Sequence, residues 1–576
     1  MGIRLEKLLR VFIFGALFAS PLAHSAGTKA DLLITDAKVY TLEDEQPWAE
    51  AIAITGDEIT YVGPLAQAQT LVGTSTQVID ANGGMVLPGF IDTHMHVGET
   101  IPYVFAAKLY PDQSPEEVLA ALAAHAKAFP DQNPVIGSGF LGAAFGELGP
   151  TAKDLDRAIP DRPAIIFDEG FHSAWINSKA MEMVGLDADS QDPVPGSHYY
   201  KRYPDGTPTG WLIEGGAFEW VAQRLSPVTE EGLNAGADYF MHTLSSMGIT
   251  AAFDAGMIAG GEPLLDLFER LDRAGKIPLR IVGSHYVNTL EHLPAALNRV
   301  QQLNERFQSE FFDMRMLKLS LDGTVEAQTA FMLDPYVKPA GHRASPLIPI
   351  PQAGDVVLEA ARTHVDVHLH ALGDAAVRAG LDMVERVRME VPQSQSRFTM
   401  CHLQIVSPQD VQRFGELDVI AQSTPTWYSF DDLALESLGE ERFEQMYPLA
   451  SMAAGGARLT LGSDYPASWI GLNGLNPLYN IEMAMTRQPA GEPDFAVQPG
   501  KGERISLEQA IKAYTRDAAY QLRLENQVGT LKVGKQADIV VLSDNLFEID
   551  RYSIHGARVT HTIANGQLVF SEGEGR

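Results

Sequence analysis

The chain has 576 residues, 45% of them hydrophobic, 20% charged and 8% aromatic, with a formal net charge of −31 at pH 7. This composition excludes a disordered or collagen-like chain, and the single cysteine, Cys401, excludes a disulfide framework. The charge argues against nucleic acid or an anionic membrane as partner, since both require a basic face.

Residues 1–26 read as a removable leader. Arg4, Lys7 and Arg10 outweigh Glu6, and the apolar run VFIFGALFA (11–19) is shorter than the roughly 20 residues of a spanning helix. Ala23-His24-Ser25 sets small residues for cleavage after Ser25 or Ala26. The expectation is an exported protein, periplasmic or secreted, with no stable membrane anchor once the leader is gone.

DLLITDAKVYTL (31–42) and AIAITGDEITYVGP (51–64) read as paired strands broken at Gly56-Asp57. VGTLKVGKQADIVVLS (528–543) and HTIANGQLVF (561–570) have the same character, with a hairpin signal at Asn565-Gly566. Strands this short need a shared core. Residues 27–84 and 523–576 are therefore expected to form one small β-sandwich domain, with 85–522 inserted between them.

The middle alternates strand-like and helical stretches, an α/β pattern. Eight apolar runs end in polar residues: GFIDTHMH (89–96), ITAAFDAG (249–256), LRIVGSHY (279–286), MRMLKLSLDG (314–323), VDVHLHALGD (365–374), RFTMCHLQ (397–404), DVIAQSTP (418–425) and RLTLGSDYP (458–466). Eight strands close a (β/α)8 TIM-like barrel, whose active site lies at the strand C-terminal ends. The count requires residues 99–246 to be an insertion after the first strand. That stretch carries its own strand-like runs at 134–140 and 163–175, and is expected to form a lid or wall over the barrel mouth. A helix is expected over 507–522, opened by Ser506 and Gln509 at capping-box spacing.

His94 and His96 lie two apart on a strand and share a face, which suits a divalent metal. His370, His402 and Asp464 end three further strands, so five nitrogen or oxygen donors converge on one mouth. His368 shares a face with His370, but His370 is nearer the strand end and is taken as the ligand, with His368 supporting from behind. Lys318 lies in an otherwise apolar strand, where burial favours the neutral amine. A neutral amine can add carbon dioxide to give a carbamate; a lysine reaching the barrel rim is the plainer alternative.

These motifs resemble the metal-dependent amidohydrolase superfamily. DEGFHSAWINSKA (168–180), PTGWLIEGGA (208–217), LKLSLDG (317–323), HALGDAAV (370–377) and LGSDYP (461–466) resemble its N-substituted formamide deformylase-like branch, amidohydrolase family 3. The resemblance extends over about 31–570. It implies two divalent ions, zinc by preference. One would be held by His94, His96 and Asp464 and the other by His370 and His402, with Lys318 carbamylated by carbon dioxide (N6-carboxylysine) and bridging them. Asp464 would then be the catalytic base and acid. Leu403 and Ser320 depart from the family pattern beside two ligands and bear on substrate shape.

His172, Trp211, Glu214 and Trp427, with Trp175, are candidates to line the substrate pocket, and Asp322 and Asp374 to orient ligands. The expected activity is hydrolysis of a non-peptide amide C–N bond in a small N-formyl or N-acyl compound. The alternatives are N-acyl amino acids, cyclic amides or esters on the same centre, or a non-catalytic scaffold, which a missing ligand would mark. Purine deamination is disfavoured, because neither HALGD nor HLQIV places a glutamate after its histidine. The expected partner is a small-molecule substrate, and a homo-oligomer is compatible with the sequence.

Overall fold

The computed structural model describes residues 29–225, 229–256, 261–428, 431–468, 470–498 and 500–573; the leader expected at 1–26 lies outside them. Eight parallel strands form the central sheet: β1 (Phe90–Met95), β2 (Ile249–Asp254), β3 (Arg280–Val287), β4 (Phe312–Ser320), β5 (Asp366–Ala371), β6 (Phe398–His402), β7 (Val419–Ser423) and β8 (Leu459–Leu461). Their spatial order is their chain order. The ring is drawn shut by Thr93 Oγ1 donating to Leu461 O (2.7 Å), Asp464 N to His94 O (2.7 Å) and His96 N to Tyr465 O (2.9 Å). All residues of β1, β2, β5, β6, β7 and β8 are buried, which is why these strands read as near-continuous apolar runs.

Between β1 and β2 the chain builds a separate six-stranded sheet, from Ala107–Lys108 to Pro208–Ile213, with its own apolar cores. Two of its helices open with full capping boxes, Ser114 with Glu117 and Thr151 with Asp154. The helix Glu230–Ser246, which the sequence reading counted within the insertion, packs instead against β2 and the terminal sheet. It serves as the barrel helix between β1 and β2.

The chain ends meet beneath the barrel. Leu32–Thr35, Ala51–Thr55, Glu58–Gly63 and Gln77–Asp80 make one sheet, while Lys38–Tyr40, Trp48–Ala49 and Met85–Pro88 join Ile539–Leu542, Val559–Ala564 and Gln567–Ser571 in another. Ile34, Ile54, Val86, Ile539 and Ile563 share the core between them. Asn565 (φ 49°) and Gly566 (φ 74°) take the left-handed conformations that their hairpin turn needs. The helix expected over 507–522 is broken into Leu507–Ala513 and Arg516–Gln521, because the Tyr514 carbonyl turns aside to accept from Ile91 N (2.7 Å). Its Ser506–Gln509 capping box forms. Among the described residues no helix is long and apolar enough to cross a membrane.

Candidate metal centre and substrate chambers

The six residues read as metal ligands, His94, His96, Lys318, His370, His402 and Asp464, line one cavity at the C-terminal ends of the barrel strands. Asp464 Oδ1 lies 3.2 Å from His94 Nε2 and 3.5 Å from His96 Nε2, and its Oδ2 lies 3.8 Å from His402 Nδ1. Donor atoms of His94, His402 and Asp464 fall within 4.8 Å of one another. The His370 and His402 rings are 4.5 Å apart. Lys318 Nζ lies 3.2 Å from His94 Nε2 and donates to Cys401 Sγ at 3.3 Å.

The donor set fits a divalent cation. Both ring nitrogens of His402 and Nδ1 of His370 are buried with no hydrogen-bond partner, a costly arrangement that coordination relieves. Burial foremost, then neighbouring cationic groups, holds His94, His370 and His402 well below the usual histidine range, in the neutral form that ligates. Burial likewise pulls the Lys318 amine down. Burial pushes the Asp464 carboxyl up, but the imidazoles of His402 and His96 and the Lys318 amine reverse this and leave it below its ordinary value.

Surrounding groups fix the ligands. His96 Nδ1 lies 2.8 Å from the carbonyl of Gly256. Gly256 has φ 122°, and a Cβ there would sit 2.4 Å from Tyr286 Cβ. His368 Nε2 lies 3.0 Å from His94 Nδ1, on the barrel floor. Asp322 Oδ1 lies 3.4 Å from His370 Nδ1. Asp374 opens the helix after β5 and is turned from the ligands, accepting from Leu333 N at 2.8 Å.

His172 reaches the cavity from the inserted sheet, its ring 5.5 Å from that of His370. Its Nδ1 pairs with Glu214 Oε2 at 2.8 Å, and Glu214 Oε1 accepts from Thr329 Oγ1 at 2.7 Å. Burial would lower the His172 imidazole, but Glu214 and then Asp168 raise it to about 9. The Trp427 ring stacks on His402 (5.1 Å, 10°) and its Nε1 donates to Ala467 O. Trp211 donates to Ser173 Oγ and lines an outer chamber; Gly142 and Gly149 leave it room, since a Cβ at either would strike its ring. Trp175 is fully buried in the core of the insertion, donating to Thr151 O; it shares a sheet face with Ser173 and its cross-strand partner Trp211, but Phe140 and Phe145 pack over it and keep it out of the chamber. His402, Asp464, Phe171 and Glu214 all have left-handed φ (73°, 52°, 57° and 63°), strain of the kind that collects at functional sites.

Sequence reasoning missed Asp92, whose carboxylate accepts from His94 N (3.0 Å) and Ser463 N and so ties β1 to the end of β8. It sits inside GFIDTHMH as the one acid on a buried strand, a signal that was available. It also missed Glu99, Phe218 and Tyr286, which line the inner cavity from the insertion and β3.

An eight-stranded barrel with histidines and an acid gathered at its mouth defines a metal-dependent hydrolase. The amidohydrolase family model matches residues 77–570, and the chain belongs to that family, which implies a divalent metal. The Exoenzymes regulatory protein AepA of Pectobacterium carotovorum subsp. carotovorum is 29% identical over 75% of this chain and 93% of its own. The N-substituted formamide deformylase of Arthrobacter pascens is 24% identical over 93% of this chain and 98% of its own. Among solved structures, an uncharacterized metal-dependent hydrolase from Pyrococcus horikoshii OT3 superposes with TM-score 0.70 at 21% identity, covering 90% of this chain and 99% of that one. A zinc-bound adenosine deaminase from Xanthomonas campestris gives 0.51 at 14% identity, covering 95% and 94%.

Proposed function

We propose that the protein hydrolyses the C–N bond of a small non-peptide amide, an N-formyl or N-acyl amine, and that it does so after export. The observation that carries this is the gathering of six donor side chains at one mouth, among them an orphaned His402, a buried Lys318 and Asp464, whose carboxyl is held below its ordinary value. The full-length likeness to a formamide deformylase supports the amide. In this reading His94, His96 and Asp464 would hold one zinc ion and His370 and His402 a second, and Lys318, as its carbamate, would serve both. Bound there, the metal pair lowers the pKa of water and polarises a carbonyl.

The chain's own groups do the rest. Asp464 accepts a proton from the attacking water as its oxygen bonds the carbonyl carbon, and returns that proton to the nitrogen as the C–N bond breaks. His172, held by Glu214, donates from its other nitrogen to the substrate oxygen. Trp427 keeps the His402 ring in place.

The test is amine release by the zinc-loaded mature chain, offered N-formyl, N-acetyl and longer N-acyl amines and N-acyl amino acids, with Lys318→Ala as blank. Release above the blank supports the reading. Silence across the panel refutes it and moves the assignment to esters or cyclic amides.

A further inference from the structure

The space around the ligands is about 40 Å³, room for roughly three waters. Gly170 and His172 line both this space and a second chamber of about 410 Å³. A carbonyl and a short acyl group fit the inner space, and a larger substrate can extend past Gly170 and His172 into the outer one.

Glu147, Asp168, Glu169, Glu326 and Asp431 line the outer chamber against Lys201 and His172, and among the described residues no arginine lines it. Asp168 is already committed to His172 N and Ser173 Oγ, and Asp431 to the N–H groups of Leu433 and Ala434. Glu169 is different: its Oε2 is shut off from solvent and has no hydrogen-bond partner. Glu326 receives the neutral amide of Gln404, at 2.9 Å, and shares a hydrogen bond with the Asp431 carboxyl, so no cationic partner reaches it. Burial first, then repulsion from nearby carboxylates, pushes Glu169 well up and Glu326 to about 7, the behaviour of a site short of positive charge. These acids do not form a single ion-sized cluster: among the described residues the converging ligand groups are His94 with His402 and Asp464, and His94 with His368 and Cys401. The walls between them are aromatic, with Tyr199, Trp211, Trp427 and Tyr447. Lys201 Nζ already lies 5.8 Å over the Trp211 ring, so that surface accepts a cation.

We propose that the outer chamber selects substrates whose amine portion bears an organic cation, an ammonium or guanidinium group, held by Glu169 and Glu326 beside the aromatic walls. Where it concerns substrates, this rests on the amide-hydrolase reading. The binding preference itself does not.

The test uses the metal-loaded full chain and two probes of one shape, choline and its isostere with carbon in place of nitrogen, titrated by calorimetry. Choline is expected to bind about tenfold tighter, with the difference collapsing in Glu169→Gln and in Glu326→Gln, each checked for folding by its melting curve. Equal binding of the two probes, or a preference that survives both substitutions, overturns the proposal. So does calcium binding that Glu169→Gln abolishes, which would make the chamber a metal site. In parallel, a monoformylated diamine is compared with the N-alkylformamide of equal length. Cleavage of neither with choline preferred refutes the amidase reading and supports the cation site. Cleavage of both at equal kcat/KM, with probes bound equally, does the reverse.

Discussion

At the scale of single residues, a carboxylate that shuttles a proton must be ionised and must hold one orientation. Asp464 meets both conditions. Its carboxyl is kept below its ordinary value by His402, His96 and Lys318 despite burial. Its backbone sits at φ 52° with the N–H bound to His94 O, so both oxygens are aimed at imidazoles. Asp464→Asn keeps the shape and one ligating oxygen but removes the base. A fall in kcat of about 10²–10⁴-fold is expected, with bound metal measured by plasma emission on the same sample. Near-normal kcat at full metal content would exclude Asp464 as the base. The residue was legible in sequence because it is a polar group at the end of an apolar strand, and so were the histidines. Glu214 could be named but its role could not. That it grips His172 depends on two chain segments 42 residues apart meeting in space.

At the scale of elements, the ligands depend on loops joining neighbouring strand ends. Asp322, just past β4, accepts from the N–H groups of Phe331 (3.0 Å), Leu372 (3.1 Å) and Gly373 (2.8 Å), and so ties its own loop to the end of β5 beside His370. Asp322→Asn turns one acceptor into a donor facing N–H groups. Metal affinity, read by competition with a chromogenic chelator, is expected to fall about 10–100-fold. Asp374→Asn, which disturbs the contact to Leu333 at the start of the helix after β5, is expected to leave affinity within about twofold; equal losses in the two would mean that loop integrity, and not the contact to His370, sets the affinity. The barrel strands were readable because most are buried on both faces, so apolar residues dominate each up to a polar end. The end of the insertion was not readable. The helix Glu230–Ser246 looks amphipathic in either setting, and only its packing on β2 assigns it to the barrel. The break at Tyr514 was hidden for a similar reason, since it arises from a backbone hydrogen bond to β1 over 400 residues away.

At the scale of the whole molecule, the barrel has a working end and a holding end. The inserted sheet overhangs the first, and the two chain termini close the second. Arg280, the first residue of β3, is 1% exposed and donates to Asp538 Oδ2 (2.6 Å), Gln536 Oε1 (2.8 Å), Asn565 Oδ1 (3.0 Å) and Glu310 Oε1 (3.0 Å), three of which belong to the terminal segment. Asp538 also returns bonds to the barrel, with its carbonyl accepting from Gly89 N (2.8 Å). Asp538→Ala would leave a guanidinium buried beside only one carboxylate, at a cost of about 3–5 kcal/mol, read as a lowered urea midpoint at unchanged slope. Since the clamp lies at the strand ends opposite the metal ligands, kcat/KM below the transition should stay within about twofold. Replacing both partners, Arg280→Met with Asp538→Leu, removes the buried charge altogether and should recover most of the loss. A double variant as unstable as Asp538→Ala would show that the clamp acts through its bonds to Gln536 and Asn565, rather than through the penalty for an unpaired charge.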